Sequence, residues 1–311
     1  MKTITFLIPY FGKWPIWLSS FLVSCQKNES IKWIFFTDCD LSVEFPENVI
    51  VHKMTLGGVK ELAQEKLNAK VTLKTYRKLC DLRPAYGKIF EEYIEGTDFW
   101  GFCDIDVIWG DIRKYITNEL LENNEIVSSR KEAISGHFTI FKNNAAINNY
   151  YKNLPEFNHI LTCEKYMWAE EQLLTNYLKA NKSDLAIYWN EYFVNNKNGA
   201  AHQEYYLDRW LWDDGAVYEI IDGEISREVM YLHFINWKPN MKVNEVLFNK
   251  DNKQFYISYI GMHYNLHSKF KHCYNNISNV FNGYYINEKR RYRKNKIKSL
   301  IKRVKRKLKF N

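Results

Sequence analysis

The sequence predicts an α/β protein: a mostly parallel central sheet flanked by helices, followed by a basic helical tail. Three observations lead there. Apolar runs of strand length alternate with segments of helical spacing, the pattern of strands joined by crossover helices. The 311 residues, 46% hydrophobic and 26% charged, suffice for a large core. Thirteen Lys and Arg residues and no acid fall within 289–309, and removing those thirteen charges from the net +8 leaves the remainder at −5. The basic character therefore belongs to the tail and not to the fold.

Lys2–Pro9 reads as the first strand. Its apolar run has the look of a signal peptide, but Pro9 to Pro15 interrupts it and no small-residue cleavage site follows. The loop Pro9-Tyr10-Phe11-Gly12-Lys13 leads into a helix over Trp14–Cys25. Lys32–Thr37 is a second strand ending at Asp38, and Val49–Lys53 a third. Val59–Leu67 and Lys70–Leu82 carry helical spacing, and Pro84 starts or kinks the next helix, Ala85–Ile94. The aromatic run Phe99–Cys103 is short and lacks helical spacing, so it reads as a buried strand. Glu125–Ser129 and Phe138–Phe141 are strands split by a loop around Gly136, Tyr166–Lys179 is a helix, and Tyr231–Phe234 is a late strand. No repeat or Gly/Ser linker divides the chain, which parses as one domain over 1–270 and an extension over 271–311. Six scattered cysteines without a C-x-x-C pair suit free thiols in a reducing cytoplasm. No stretch approaches the roughly 18 apolar residues of a membrane span.

The chemistry gathers where strands end. Asp104-Ile105-Asp106 leaves the Phe99–Cys103 strand, and two carboxylates there are costly to desolvate unless something positive meets them. On an extended chain both project to one side, which suits a hard divalent cation with open positions for phosphate oxygens. A strand-end turn with solvated acids fits the same three residues. Ligands of open α/β sheets bind beyond the carboxyl ends of strands. That rule groups Pro9–Lys13, Asp38, Asp104/Asp106 and His233–Lys238. Asp38 suits a base or ribose contact, and equally a loop cap. His233 suits a third metal ligand through a neutral imidazole nitrogen, and Lys238 a point charge for a leaving diphosphate.

The order of first-strand loop, strand-end Asp, aromatic strand into D-x-D, acidic helix and His-Phe…Lys-Pro resembles the GT-A fold nucleotide-sugar glycosyltransferases. Within them it resembles a bacterial group of the capsule and O-antigen polysaccharide biosynthesis type (DUF6625-like). The likeness covers about 1–270 and is most specific at Cys80–Gly87, Phe102–Asp111 and Leu232–Pro239. It implies a GT-A catalytic domain over 1–270 and a metal-dependent hexosyltransferase. Mn²⁺ or Mg²⁺ would be held by Asp104, Asp106 and His233, with Asp106 the more direct ligand and Asp104 nearer the donor ribose or sugar. Pro9, Tyr10, Asp38, Arg83, Asp104 and Lys238 would bind the nucleotide-sugar donor. His233 and Lys238 resemble the late His…Lys-Pro element of glycogenin-like families, here one residue shorter and without the family's glycine.

Trp168-Ala169-Glu170-Glu171-Gln172 resembles both the x-Glu-Asp element of inverting enzymes and the Asp-Gln element of retaining ones. Both alignments select Glu171, and the preferred reading makes it the general base of an inverting transfer. A carboxylate at a helix start is held charged by the macrodipole, and an ordinary acidic first turn looks the same. Arg83 and Lys88 flank a Pro-Ala-Tyr-Gly turn suited to phosphate or sugar contacts, or to pairing with Asp81, Glu91 and Glu92. Ser135–Phe138 resembles the family's loop over donor and acceptor. The expected donor is a UDP-linked sugar of galactosyl type, and the expected acceptor a lipid-linked or growing cell-surface polysaccharide.

In the tail, Ile297, Leu300, Ile301, Val304 and Leu308 recur at helical spacing among the basic residues of 289–309. Such a helix suits an anionic membrane surface, so the chain is expected in the cytoplasm, peripheral at the inner face of the bacterial membrane. Two other readings stay open. A metal-dependent nucleotidyltransferase or sugar-nucleotide hydrolase lacks its Gly-rich, Lys-bearing loop after the first strand. A non-enzymatic nucleic-acid-binding protein is disfavoured because residues 1–288 are net acidic, and no nucleic-acid partner is expected.

Overall fold

The structure is a computed structural model that describes residues 1–181, 185–190, 193–194, 205–248 and 251–307, with side chains to Ile301. Strands β1 (Ile4–Pro9), β2 (Ile31–Thr37), β3 (Val49–Lys53) and β4 (Phe99–Cys103) are parallel neighbours in the order β3-β2-β1-β4. Phe6 of β1 lies in register between Trp33 and Gly101. Beyond Asp106 the chain resumes as a short β5 (Val107–Trp109) outside this sheet. β6 (Ile126–Ser128), β7 (Phe138–Lys142) and β8 (Ile187–Trp189) complete a seven-stranded sheet, with β7 antiparallel to both neighbours and β6 parallel to β8. The strands β1 and β4 are continuous apolar runs because both faces of the sheet are covered. Phe36, Trp100 and Phe102 pack into one core and Phe6, Trp33 and Trp109 into another.

Several helices depart from expectation for local reasons. The first spans Leu18–Gln26 and not Trp14–Cys25: Leu18 N–H bonds back to Pro15 O in a turn, and Trp14 is drawn away to donate to Asp40 O. The second begins early, at Leu56, because Thr55 caps it by accepting from Gly58 N–H, outweighing two glycines in the first turn. The helix expected over Lys70–Leu82 does not form. Thr72 N–H is taken by Leu161 O, and the chain winds from Tyr76 to Ala85 in tight 3₁₀ turns ending around Pro84. Ala85–Ile94 is likewise split, into one α turn at Tyr86–Ile89 and a 3₁₀ turn at Glu91–Ile94. The helix expected at Tyr166 starts at Ala169 as a π turn (Ala169–Leu173) before continuing as Leu174–Ala180.

A second sheet follows that the sequence reading did not foresee. Its strands are β9 (Trp210–Asp213), β10 (Ala216–Ile221) and β11 (Glu224–Val229), and beyond β12 (Tyr231–His233) come β13 (Val243–Asn244), β14 (Gln254–Ser258) and β15 (Gly261–His263). The order is β11-β10-β9-β14-β15-β13. β12 stands apart and pairs antiparallel with β5. A third core of Ile108, Trp212, Leu232, Trp237 and Phe255 joins this sheet to the β5–β12 ribbon, and Trp212 Nε1–H donates to Trp109 O at 3.0 Å. Helices Lys269–Asn282 and Tyr284–Lys307 end the described chain. Ile297, Leu300 and Ile301 are each more than half exposed, while the Val304 side chain and Leu308 lie outside the described residues. Among the described residues no helix is long and apolar enough to cross a membrane.

Candidate functional site

The chain does not stay extended through Asp104–Asp106; it bends at Ile105 and Asp106. Ile105 is buried in the core, its carbonyl accepts from Trp17 Nε1–H at 2.8 Å, and Asp106 O accepts from Phe234 N–H at 3.0 Å. The convergence of the two acids therefore comes from a held bend and not from strand alternation. β12 supplies the third group, because its pairing sets His233 opposite Val107, the residue after Asp106. Ligand atoms of Asp104, Asp106 and His233 all lie within 4.8 Å of one another. Two carboxylates and an imidazole form a donor set that suits Mn²⁺ and, less closely, Mg²⁺. His137 stacks on His233 at 4.2 Å between ring centroids and bonds through Nδ1 to the Tyr231 hydroxyl at 2.7 Å, which steadies the imidazole.

Positive groups meet both acids. Lys238 Nζ is 2.8 Å from Asp106 Oδ2, and His233 Nε2 is 3.5 Å from the same oxygen. Burial works against the Asp106 charge, but His233 and the Lys238 ammonium together outweigh it and hold the carboxyl far below the usual range. Arg83 Nη2 donates to Asp104 Oδ1 at 2.7 Å, and its Nη1 donates to Gly136 O at 2.7 Å.

Gly136 carries this chain onward. Its N–H donates to Glu171 Oε1 at 3.0 Å, and Arg130 Nη1 lies 3.1 Å from the same oxygen. A Cβ on Gly136 would sit 3.0 Å from Glu171 Oε1 and 3.2 Å from Arg83 Nη1, so a larger residue there would press on both side chains. Glu171 is presented by a turn that Asp81 locks. The wholly buried Asp81 accepts from Lys78 Nζ at 2.8 Å, Met167 N–H at 2.8 Å and Ala169 N–H at 2.9 Å. Between those two amides Trp168 is held at φ +55°, an unusual conformation for a bulky residue. Neighbouring Glu170 is buried and accepts from Tyr166 O–H at 2.7 Å; burial raises its carboxyl above the ordinary range.

The first-strand loop borders a cavity of about 250 Å³ lined by Pro9, Tyr10, Tyr76, Cys80 and Arg83. Tyr10 stacks on Trp14 at 5.4 Å, and its phenol is pushed up to about 12, by burial first and by Cys39 and Asp106 beyond that. Asp38 accepts from Gly12 N–H at 2.7 Å, with Gly12 at φ +97°, so it closes the loop. Lys88 pairs with Glu91 at 2.6 Å and takes no part in the site. Arg130 and Lys78 went unmarked in the sequence reading. His137 entered it within the Ser135–Phe138 loop, and Asp81 as a partner for Arg83 or Lys88, whereas Asp81 pairs with Lys78 and Arg83 with Asp104. Asp81 falls within Cys80–Gly87, one of the segments whose resemblance was most specific.

A family model described as "Family of unknown function (DUF6625)" matches residues 6–266. No curated protein matches the chain. Among solved structures, galactosyltransferase LgtC in complex with donor and acceptor sugar analogs aligns with a TM-score of 0.32 and 14% identity, over 62% of this chain and 74% of that one. An alignment of that score carries no weight for the reaction.

Proposed function

The chain belongs to the DUF6625 family, and we propose that it is a metal-dependent glycosyltransferase of GT-A type. The carrying observation is the convergence of Asp104, Asp106 and His233 at the strand ends, with Lys238 against Asp106 and Arg83 against Asp104. These three residues would hold Mn²⁺ or Mg²⁺. When bound, such an ion offsets negative charge on a departing nucleoside diphosphate. We assign the donor to the cavity beside Pro9 and Tyr10, as a UDP-linked sugar of galactosyl type.

Lys238 and Arg83 turn from the carboxylates to the donor phosphates once the acids have another cation. Glu171 accepts the proton of the acceptor hydroxyl as that oxygen attacks the anomeric carbon. Its carboxylate is oriented for this by Gly136 N–H and Arg130. The half-exposed ring of Trp168, tilted against Tyr166 at 4.7 Å, offers an apolar face for the acceptor sugar. The acceptor is lipid-linked or a growing polysaccharide, reached by a catalytic domain over 1–270 that its basic tail holds at the inner membrane face.

The test is thermal unfolding with UDP, GDP, CMP and dTDP, each with Mn²⁺ and with EDTA. Stabilisation by UDP that EDTA removes is the expected result. If no nucleotide stabilises the protein in either condition, the transferase reading fails.

A further inference from the structure

A second cluster of metal-ligating side chains lies outside this site, and no part of the proposed reaction uses it. Asp208 precedes β9, His263 ends β15, His267 follows in the loop, and His272 sits in the first turn of helix Lys269–Asn282. The ligand atoms of Asp208, His263 and His267 lie within 4.8 Å of one another. Asp208 Oδ1 is 2.6 Å from His267 Nδ1, and Asp208 Oδ2 is 2.7 Å from His272 Nε2. The His267 backbone N–H also donates to Oδ2, at 2.7 Å.

His263 is what a plain hydrogen-bonded network leaves unexplained. Its Nδ1 lies 2.8 Å from Asn265 O, and since a carbonyl only accepts, Nδ1 carries the proton. A neutral ring then has its lone pair on Nε2. That atom is buried, has no hydrogen-bond partner among the described residues, and faces Asp208 Oδ1 at 3.4 Å, on a residue only 5% exposed. A lone pair set against a carboxylate in a buried position repels it unless a cation lies between them.

We propose that Asp208, His263, His267 and His272 form a second metal site, of the zinc type, which staples the first C-terminal helix to the antiparallel sheet. The donor set of three imidazoles and one carboxylate selects Zn²⁺ over Mg²⁺ or Ca²⁺, which require oxygen. Metal–ligand bonds of about 2.0–2.1 Å give a tetrahedral edge near 3.3 Å, which the His263–Asp208 separation of 3.4 Å already matches. His267 sits at hydrogen-bond distance and moves outward by a fraction of an ångström, whereas His272, which bonds Asp208 Oδ2 but lies outside the 4.8 Å trio, swings in as the fourth ligand. Each binds as a neutral imidazole through a nitrogen free of its proton. Asn265 O fixes the His263 tautomer in the manner of an outer-shell partner. The sequence His263-x₃-His267-x₄-His272 has the spacing of zinc-binding histidine pairs.

The test uses the full chain carrying Asp106→Asn and His233→Ala, which silences the first centre. Stripped of metal and titrated with Co²⁺, it should bind one equivalent with the strong visible bands of four-coordinate cobalt. Zn²⁺ should bleach them and raise the Tm by several degrees, while Mg²⁺ should do neither. Adding His263→Gln should abolish the bands. Adding His272→Ala instead, at a more exposed position, should weaken cobalt binding at least tenfold in a protein that still folds. Absence of cobalt bands while the cluster is intact overturns the site. So does cobalt or zinc binding that survives both substitutions unchanged. Neither result bears on the transferase reading, which rests on Asp104, Asp106 and His233.

Discussion

Lys238 Nζ lies 2.8 Å from Asp106 Oδ2, so a largely buried carboxylate and a half-exposed lysine beyond β12 form one charged unit at the end of β4. On the proposed reading the lysine neutralises the acid until a metal ion does so, and is then freed for phosphate. Lys238→Met should therefore leave Mn²⁺ affinity unchanged or higher, as a competitor is removed. Turnover should drop by roughly 10²–10³, the loss seen when one charge-stabilising donor is removed. Calorimetric Mn²⁺ titration and steady-state kinetics check the two halves separately. Undiminished turnover removes Lys238 from the site.

Glu171 is joined to Asp104 through Gly136 and Arg83, and it is not one of the three metal-ligand candidates. Glu171→Gln should leave UDP stabilisation with Mn²⁺ intact while lowering kcat by about 10²–10⁴. A variant with normal kcat would falsify the general-base assignment. One that instead loses UDP stabilisation would place Glu171 in donor binding.

Glu219 provides a pH-dependent contribution far from the site. It is buried between Arg209, at 2.6 Å, and Arg227, at 2.6 Å, and so ties β10 to β11. Burial opposes its charge, but the two guanidinium groups win and its carboxyl sits below the ordinary range. A depressed folded pKa gives stability that is complete above the unfolded value near 4.3 and fades as pH falls through the folded one. Glu219→Gln should cost about 3 kcal/mol at pH 7, the low end for a broken buried pair, because both arginines keep some solvent contact. The Tm difference from the parent should shrink below about pH 4. A constant difference from pH 7 to 3 removes the charge as its origin.

The apolar residues Ile297, Leu300 and Ile301 stay exposed on a helix rich in Lys and Arg. Deleting 289–311 should release the protein from vesicles containing anionic lipid and leave activity on a soluble acceptor unchanged, as read by co-sedimentation and kinetics. Each basic residue contributes about 1 kcal/mol near such a surface, so binding of the parent should weaken steeply with salt. Equal sedimentation of the truncated chain rules the tail out as the anchor.

Strands β1, β2 and β4 were legible in the sequence because a parallel strand covered on both faces reads as a largely continuous apolar run, and the edge strand β3 by its apolar start Val49–Val51. The acids at the end of β4 stood out for the same reason, as charges abutting a buried strand. The second sheet was not legible, since β10 and β11 alternate weakly and the pairing of β9 with β14 joins segments far apart along the chain. The helix over Lys70–Leu82 was misread because spacing records which residues face inward, not which backbone groups are claimed elsewhere.

The sequence by itself determined the α/β class, the position of the D-x-D acids and the basic tail, because each is written in neighbouring residues. Only the tertiary structure decided that His233 faces Asp106, that Arg83 and Gly136 join Asp104 to Glu171, and that Asp208 gathers three histidines. Those relations depend on which strands pair and where the chain bends, and such contacts between distant residues leave no local period in the sequence.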